Sequence, residues 1–212
     1  MAQFGAERIK ERTSNKINIL IFGDSITWGA YDPEQGGWAT RLRNYFEEKD
    51  NDTDVYNLGI SGDTTAALLN RIEIEAKSRE PNLIIFAIGI NDAQFIHSAN
   101  GLRVSLDEFQ QNLAKLLSIA KKFTDKVVFV GLAAVDESKT TPCPWKPDKS
   151  YYNENIERLD NAIKKFCEDN KLKFIPMKNV VGNDDLIDGL HPNTKGHIKI
   201  FNRMKSEVES IM

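Results

Sequence analysis

Asp188 and His191, three residues apart in the segment DGLHPN, have the residue types and spacing of a proton-transfer pair. In a turn, the carboxylate can accept a hydrogen bond from imidazole Nδ1 and leave Nε2 free to act as a base. Histidine ordinarily titrates near about pH 6.5, which suits it to take a proton from a hydroxyl at neutral pH. Of the three histidines, His97, His191 and His197, only His191 has an acid at this spacing in a loop expected to follow a strand. The hydroxyl that such a base would serve is Ser25, delivered in Gly23-Asp24-Ser25 directly after the apolar run INILIF. A serine is a weak nucleophile until a base removes its proton. Its attack on a carbonyl leaves negative charge on oxygen, which needs donors. Asn91 in GIND offers a side-chain amide, and Gly59 in NLGISGDTT offers an N–H that no Cβ obstructs. Together these residues could transfer an acyl group from an ester or thioester to serine and then to water.

Such a site has to be positioned, and the chain contains the elements to do it. Apolar, β-branched runs at 17–22, 55–58, 83–88, 127–130 and 172–175 predict five strands. Between them, apolar residues recur at steps of three and four. The first such set is Trp38, Leu42, Tyr45 and Phe46, and the second is Leu68, Leu69, Ile72 and Ala76. A third runs from Leu106 to Phe123, a fourth from Ile156 to Cys167, and the last comprises Ile198, Phe201, Met204, Val208 and Ile211. Regular alternation of strand and helix predicts an α/β fold, a three-layer α/β/α domain with a five-stranded parallel sheet.

Ligands of open parallel sheets bind beyond the carboxyl ends of the strands. Ser25, the segment 57–65, Asn91 and the segment 188–193 all follow predicted strands, so all four fall on one edge. Two loops, 92–105 and 133–150, are longer than such units need, and long ordered loops in compact domains are usually functional. His97 and Trp145 lie in them and are candidates for a groove lining, with packing roles equally open.

Length and composition limit the alternatives. The 212 residues suit one domain, 1–212, with residues 1–16 a polar extension. With a net charge of -3, from 28 basic and 31 acidic residues, no basic stripe announces a nucleic-acid binder, and no nucleic acid is expected as partner. No run resembles a signal-peptide core or reaches the roughly 18 to 20 apolar residues that span a bilayer, so a cytoplasmic protein without stable membrane insertion is expected. Cys143 and Cys167 are expected as free thiols, and no Cys/His cluster has zinc spacing, so neither metal nor cofactor is expected. The expected partner is a small-molecule, lipid or sugar ester, and oligomeric state is not written in the chain.

The four blocks, Ser25 in GDS, Gly59 in NLGISGDT, Asn91 in GIND and His191 in DGLHPN, occur in the order found in the SGNH (GDSL-type) hydrolases, which the sequence resembles over about residues 17–195. The resemblance implies a flavodoxin-like sheet of order 2-1-3-4-5 and a Ser25, His191 and Asp188 triad. It also implies an oxyanion hole from the Ser25 and Gly59 N–H groups and the Asn91 side chain. Ile26 replaces the leucine of the family's name, an apolar exchange. GISGDTT looks most like the lysophospholipase, thioesterase and arylesterase branch.

Each residue has a structural alternative. Ser25 could cap a turn, Asp188-Gly189 and Asn91-Asp92 could be ordinary turn pairs, and His191-Pro192-Asn193 could simply open the last helix. Asp24 and Asp92 read as loop-fixing. The competing functional class is a non-hydrolytic flavodoxin-like module that binds phosphate or flavin after the first strand. Against it, GDSITWG lacks G-x-G-x-x-G and the P-loop lysine.

Overall fold

The computed structural model describes residues 16–49 and 52–212; the expected extension at 1–16 lies, but for Lys16, outside the described residues. The chain runs β1 (Ile17–Gly23), α1 (Ser25–Trp28), α2 (Gly37–Lys49), β2 (Thr53–Gly59), α3 (Thr65–Leu69), α4 (Ile72–Lys77) and β3 (Leu83–Ala87). There follow β4 (Phe95–Ile96), β5 (Gly101–Leu102), α5 (Leu106–Ala120), β6 (Val127–Val130), α6 (Glu137–Thr140), β7 (Lys149–Ser150), α7 (Asn153–Asn170), β8 (Lys173–Ile175) and α8 (Thr194–Glu209).

Five strands form a parallel sheet of order β2-β1-β3-β6-β8. Counted along the chain within this sheet, that is the 2-1-3-4-5 order the resemblance implied. Side chains alternate between its faces. Leu20, Phe22, Ile84, Phe86 and Phe129 meet α3, α4, α5 and α7 through residues such as Leu68, Phe109, Leu113 and Leu159. Ile19, Ile21, Ile85 and Val128 meet α2 and α8 through Trp38, Leu42, Phe46, Ile200 and Met204. Full burial of each such side chain stabilises the fold by about 1.5 to 3 kcal/mol. Register then fixes the functional edge: Gly23 is level with Gly59 on one side and Ala87 on the other, so the loops after three central strands leave together.

The structure departs from the sequence reading in three places. The single helix suggested by Leu68 to Ala76 is two, because Arg71 leaves helical geometry and turns its guanidinium to the strand ends, donating to Leu58 O at 2.9 Å and to the Asp63 carboxylate at 2.8 Å. On α8 the buried face carries His197, Ile200, Met204 and Val208, while Ile198 points outward. Beyond the five expected strands, β4 pairs antiparallel with both β5 and β7, making a second, three-stranded sheet that clips one long loop to the other. Cys143 and Cys167 are free and buried. Among the described residues no helix is long and apolar enough to cross a membrane.

Candidate active site

β1 ends in Gly23, and Asp24 caps α1 by accepting the Ile26 N–H at 3.0 Å. Ser25 is therefore the first residue of that helix, where an N–H has no intrahelical acceptor. Burial pushes the Asp24 carboxyl up to about 7, although the Ile26 N–H and the nearby His191 act against it. Asp92 is likewise buried, its carboxyl pushed up to about 6, and accepts from the Thr65 N–H and hydroxyl. Both aspartates hold loops, as the sequence reading had them.

Ser25 Oγ lies 2.9 Å from His191 Nε2, and His191 Nδ1 lies 2.7 Å from Asp188 Oδ2. The other Asp188 oxygen accepts the N–H groups of Leu190 at 3.0 Å and His191 at 2.8 Å, so the turn itself fixes the carboxylate. Burial works to raise the Asp188 carboxyl, but its bonds to His191 outweigh this and hold it below the ordinary carboxylate value. A charged acceptor at Nδ1 places the imidazole proton there and leaves Nε2 to accept from serine. Asn193, two residues on, caps α8 by accepting the Gly196 N–H at 3.0 Å, which anchors the loop on a rigid helix. His197 is structural: it accepts the Trp38 N–H at Nδ1, donates from Nε2 to Ala30 O at 2.9 Å, and burial lowers its pKa.

Asn91, in the turn four residues after β3, lines the groove with Ser25 and His191. One of its amide protons goes to Asp63 O at 3.0 Å, and Tyr151 Oη donates to its Oδ1 at 3.0 Å. Gln94 Nε2 also reaches Asn91 Oδ1, at 3.4 Å, and donates to the Tyr151 oxygen. With Oδ1 and one N–H engaged, the second Nδ2 proton is left for a ligand.

Gly59 is not placed as the sequence reading had it. Its N–H is taken by Asn57 Oδ1 at 3.1 Å, and a Cβ there would stand 2.3 Å from Trp28 N. It is glycine so that β2 can pack against α1. Gly62, three residues on, has φ +84° with open space where a Cβ would be, lines the groove beside Ser25 and Asn91, and its N–H has no partner among the described residues. The signal was present in the sequence, since GISGDTT holds two glycines; which one faces the site depends on the turn after β2.

A groove of about 470 Å³ opens over Ser25 and His191, a size suited to a small organic molecule. Trp28, Tyr31 and Trp145, all half exposed, form its walls, and the Tyr31 ring meets His191 edge-on at 5.4 Å. Of the two loop residues singled out from sequence, Trp145 lines the groove. His97 instead binds the Ser150 hydroxyl at 2.8 Å and braces the clip between the loops.

A parallel three-layer domain with a serine, histidine and aspartate aligned at the strand ends is the architecture of an SGNH-type hydrolase. The chain belongs to the GDSL-like lipase/acylhydrolase family, whose model matches residues 21–198. It is 30% identical to an isoamyl acetate-hydrolyzing esterase of Saccharomyces cerevisiae, over 86% of this chain and 82% of that one. It is 31% identical to esterase TesA of Pseudomonas aeruginosa, over 82% and 79% of the two chains. Its fold superimposes on a lipase/acylhydrolase from Enterococcus faecalis with a TM-score of 0.75 at 22% identity, covering 92% of this chain and 96% of that one. The protein is thus an ester hydrolase.

Proposed function

We propose that hydrolysis runs through Ser25, His191 and Asp188 on small carboxylic esters. His191 Nε2 takes the Ser25 hydroxyl proton as Oγ bonds to the carbonyl carbon, and Asp188 stabilises the resulting imidazolium. The developing oxyanion is bound by the Ser25 N–H, the Gly62 N–H and the Asn91 amide. Collapse breaks the bond to the alcohol, which leaves with the proton from His191. A water then gives its proton to His191, attacks the acyl carbon and releases the acid, and the proton returns to Ser25.

The observation that carries this reading is the continuous chain from Ser25 Oγ through His191 to Asp188, at 2.9 and 2.7 Å. The aromatic walls and the modest groove favour a small ester over a long-chain lipid, and the yeast relative acts, by its name, on an acetate ester. The match across 21–198 supports a single hydrolase domain. Steady-state hydrolysis of phenyl acetate tests the assignment. Ser25→Ala and His191→Ala are each expected to lower kcat by about 10⁴-fold or more. Asn91→Ala is expected to lower it by about 10² to 10³-fold. Wild-type kcat in Ser25→Ala would contradict the reading.

A further inference from the structure

We infer that the substrate carries an anionic group, a carboxylate or phosphate, seated between Arg103 and Lys149; this rests on the proposed catalytic reading of the same groove. Arg103 follows β5 and Lys149 lies in β7, so the clip between the two long loops brings together two cations that are distant in sequence. Both line the groove that holds Ser25 and His191. Both point at one oxygen: Gln94 Oε1 accepts from Lys149 Nζ at 3.0 Å and from Arg103 Nη1 at 3.3 Å.

Among the described residues neither cation has a carboxylate within ion-pair distance, whereas Arg41, Arg43, Arg71 and Arg79 each have one. The acids that act on the pair electrostatically are engaged elsewhere. Asp148 accepts the Ser98 N–H at 2.8 Å and hydroxyl at 2.7 Å, and Asp92 is buried against Thr65. Partial burial, then Arg103 and Lys146, lower the Lys149 pKa, the direction expected of an ammonium held beside other cations without a counterion. Two like charges converging on a neutral amide repel each other, and an anion between them reverses the sign of that interaction. Gln94 also joins the cations to the reaction centre, because its Nε2 bonds to Tyr151 and to Asn91.

The test compares kcat/KM for esters paired as an anionic and a neutral member, with dimethyl glutarate counted per ester group. Monomethyl glutarate against dimethyl glutarate places the anion on the acyl side. O-acetylglycolate against acetoxyacetone places a carboxylate on the alcohol side, and acetylglycerol phosphate against monoacetin places a phosphate there. The wild type is expected to favour the anionic member of at least one pair by about tenfold or more, mainly through KM, as a charge-assisted contact allows. That preference is expected to fall to near parity in Arg103→Gln/Lys149→Gln and to shrink in high salt. Equal rates within every pair, or a preference that survives the double substitution, would overturn the proposal. So would hydrolysis of none of these esters by protein whose Ser25 still reacts with a fluorophosphonate. An unreactive Ser25 overturns the catalytic reading itself.

Discussion

The Tyr151 hydroxyl donates to Asn91 Oδ1 at 3.0 Å, so a residue after the second long loop sets the orientation of an amide in the turn after β3. Tyr151 is 2% exposed, and burial pushes its hydroxyl pKa up, which favours the protonated, donating form. With Oδ1 engaged, Nδ2 must face Asp63 O and the space above Ser25.

Tyr151 is accordingly a positioning residue. Tyr151→Phe keeps the ring and its packing while leaving Asn91 Oδ1 only the longer contact from Gln94, which loosens the amide. We expect kcat to fall about tenfold with KM little changed, less than the roughly 10² to 10³-fold cost of losing the donor outright. An unchanged kcat with a lowered Tm would reduce Tyr151 to a packing role.

The two glycines of GISGDTT separate by what their substitution disturbs. Gly59→Ala drives a Cβ to 2.3 Å from Trp28 N, a backbone atom that cannot yield cheaply. A loss of about 1 to 3 kcal/mol or more is expected, seen in thermal unfolding as a drop of several degrees. Gly62→Ala meets no atom within 4 Å and bears only the strain of φ +84°, about 1 to 2 kcal/mol, but sets a methyl beside the oxyanion. Its deficit is expected in kcat. The reverse pattern would return the oxyanion role to Gly59.

Asp24 makes stability depend on pH. Its folded carboxyl titrates at about 7 against an ordinary 3.8, because burial penalises the charged form. The folded state therefore binds the extra proton between these values, and its stabilisation, present in full below about 4, is lost as pH rises to 7. The span corresponds to on the order of 4 kcal/mol. Asp92, raised to about 6, acts with the same sign. Asp24→Asn retains an oxygen to cap Ile26 without the titration. Chemical denaturation from pH 4 to 8 should therefore show a shallower decline in the variant and higher stability than wild type at pH 8. Parallel curves would contradict this origin.

The sheet was legible because its five strands are apolar runs bounded by turns. Ser25, Asn91, Asp188 and His191, the residues of the proposed site, stand out in the sequence for the same reason: each lies in a short block after a strand or before a capped helix. The loop clip was not legible. β4, β5 and β7 are two residues long and show no periodicity, and the pairing of 95 with 150 spans 54 intervening positions of chain. Gln94, Arg103, Lys149 and Tyr151 converge only through that pairing. Residue type alone points to Gly59 as an unhindered N–H, whereas the direction of that N–H, and the exposure of Gly62 to the groove, come from the turn after β2. Ile198 was assigned inward because a three- and four-residue spacing admits two neighbouring faces of α8, and His197, bonded to Ala30, selects the other.

The most direct measurement is reaction with a fluorophosphonate at neutral pH, followed by peptide mapping of the adduct in wild type, His191→Ala and Asp188→Asn. It asks whether Ser25 is activated without requiring the right ester. A single adduct on Ser25 is expected, abolished in His191→Ala and strongly slowed in Asp188→Asn, since imidazole without its carboxylate loses the tautomer that serves serine. An adduct on another residue, or one on Ser25 that forms at the wild-type rate without His191, would contradict it.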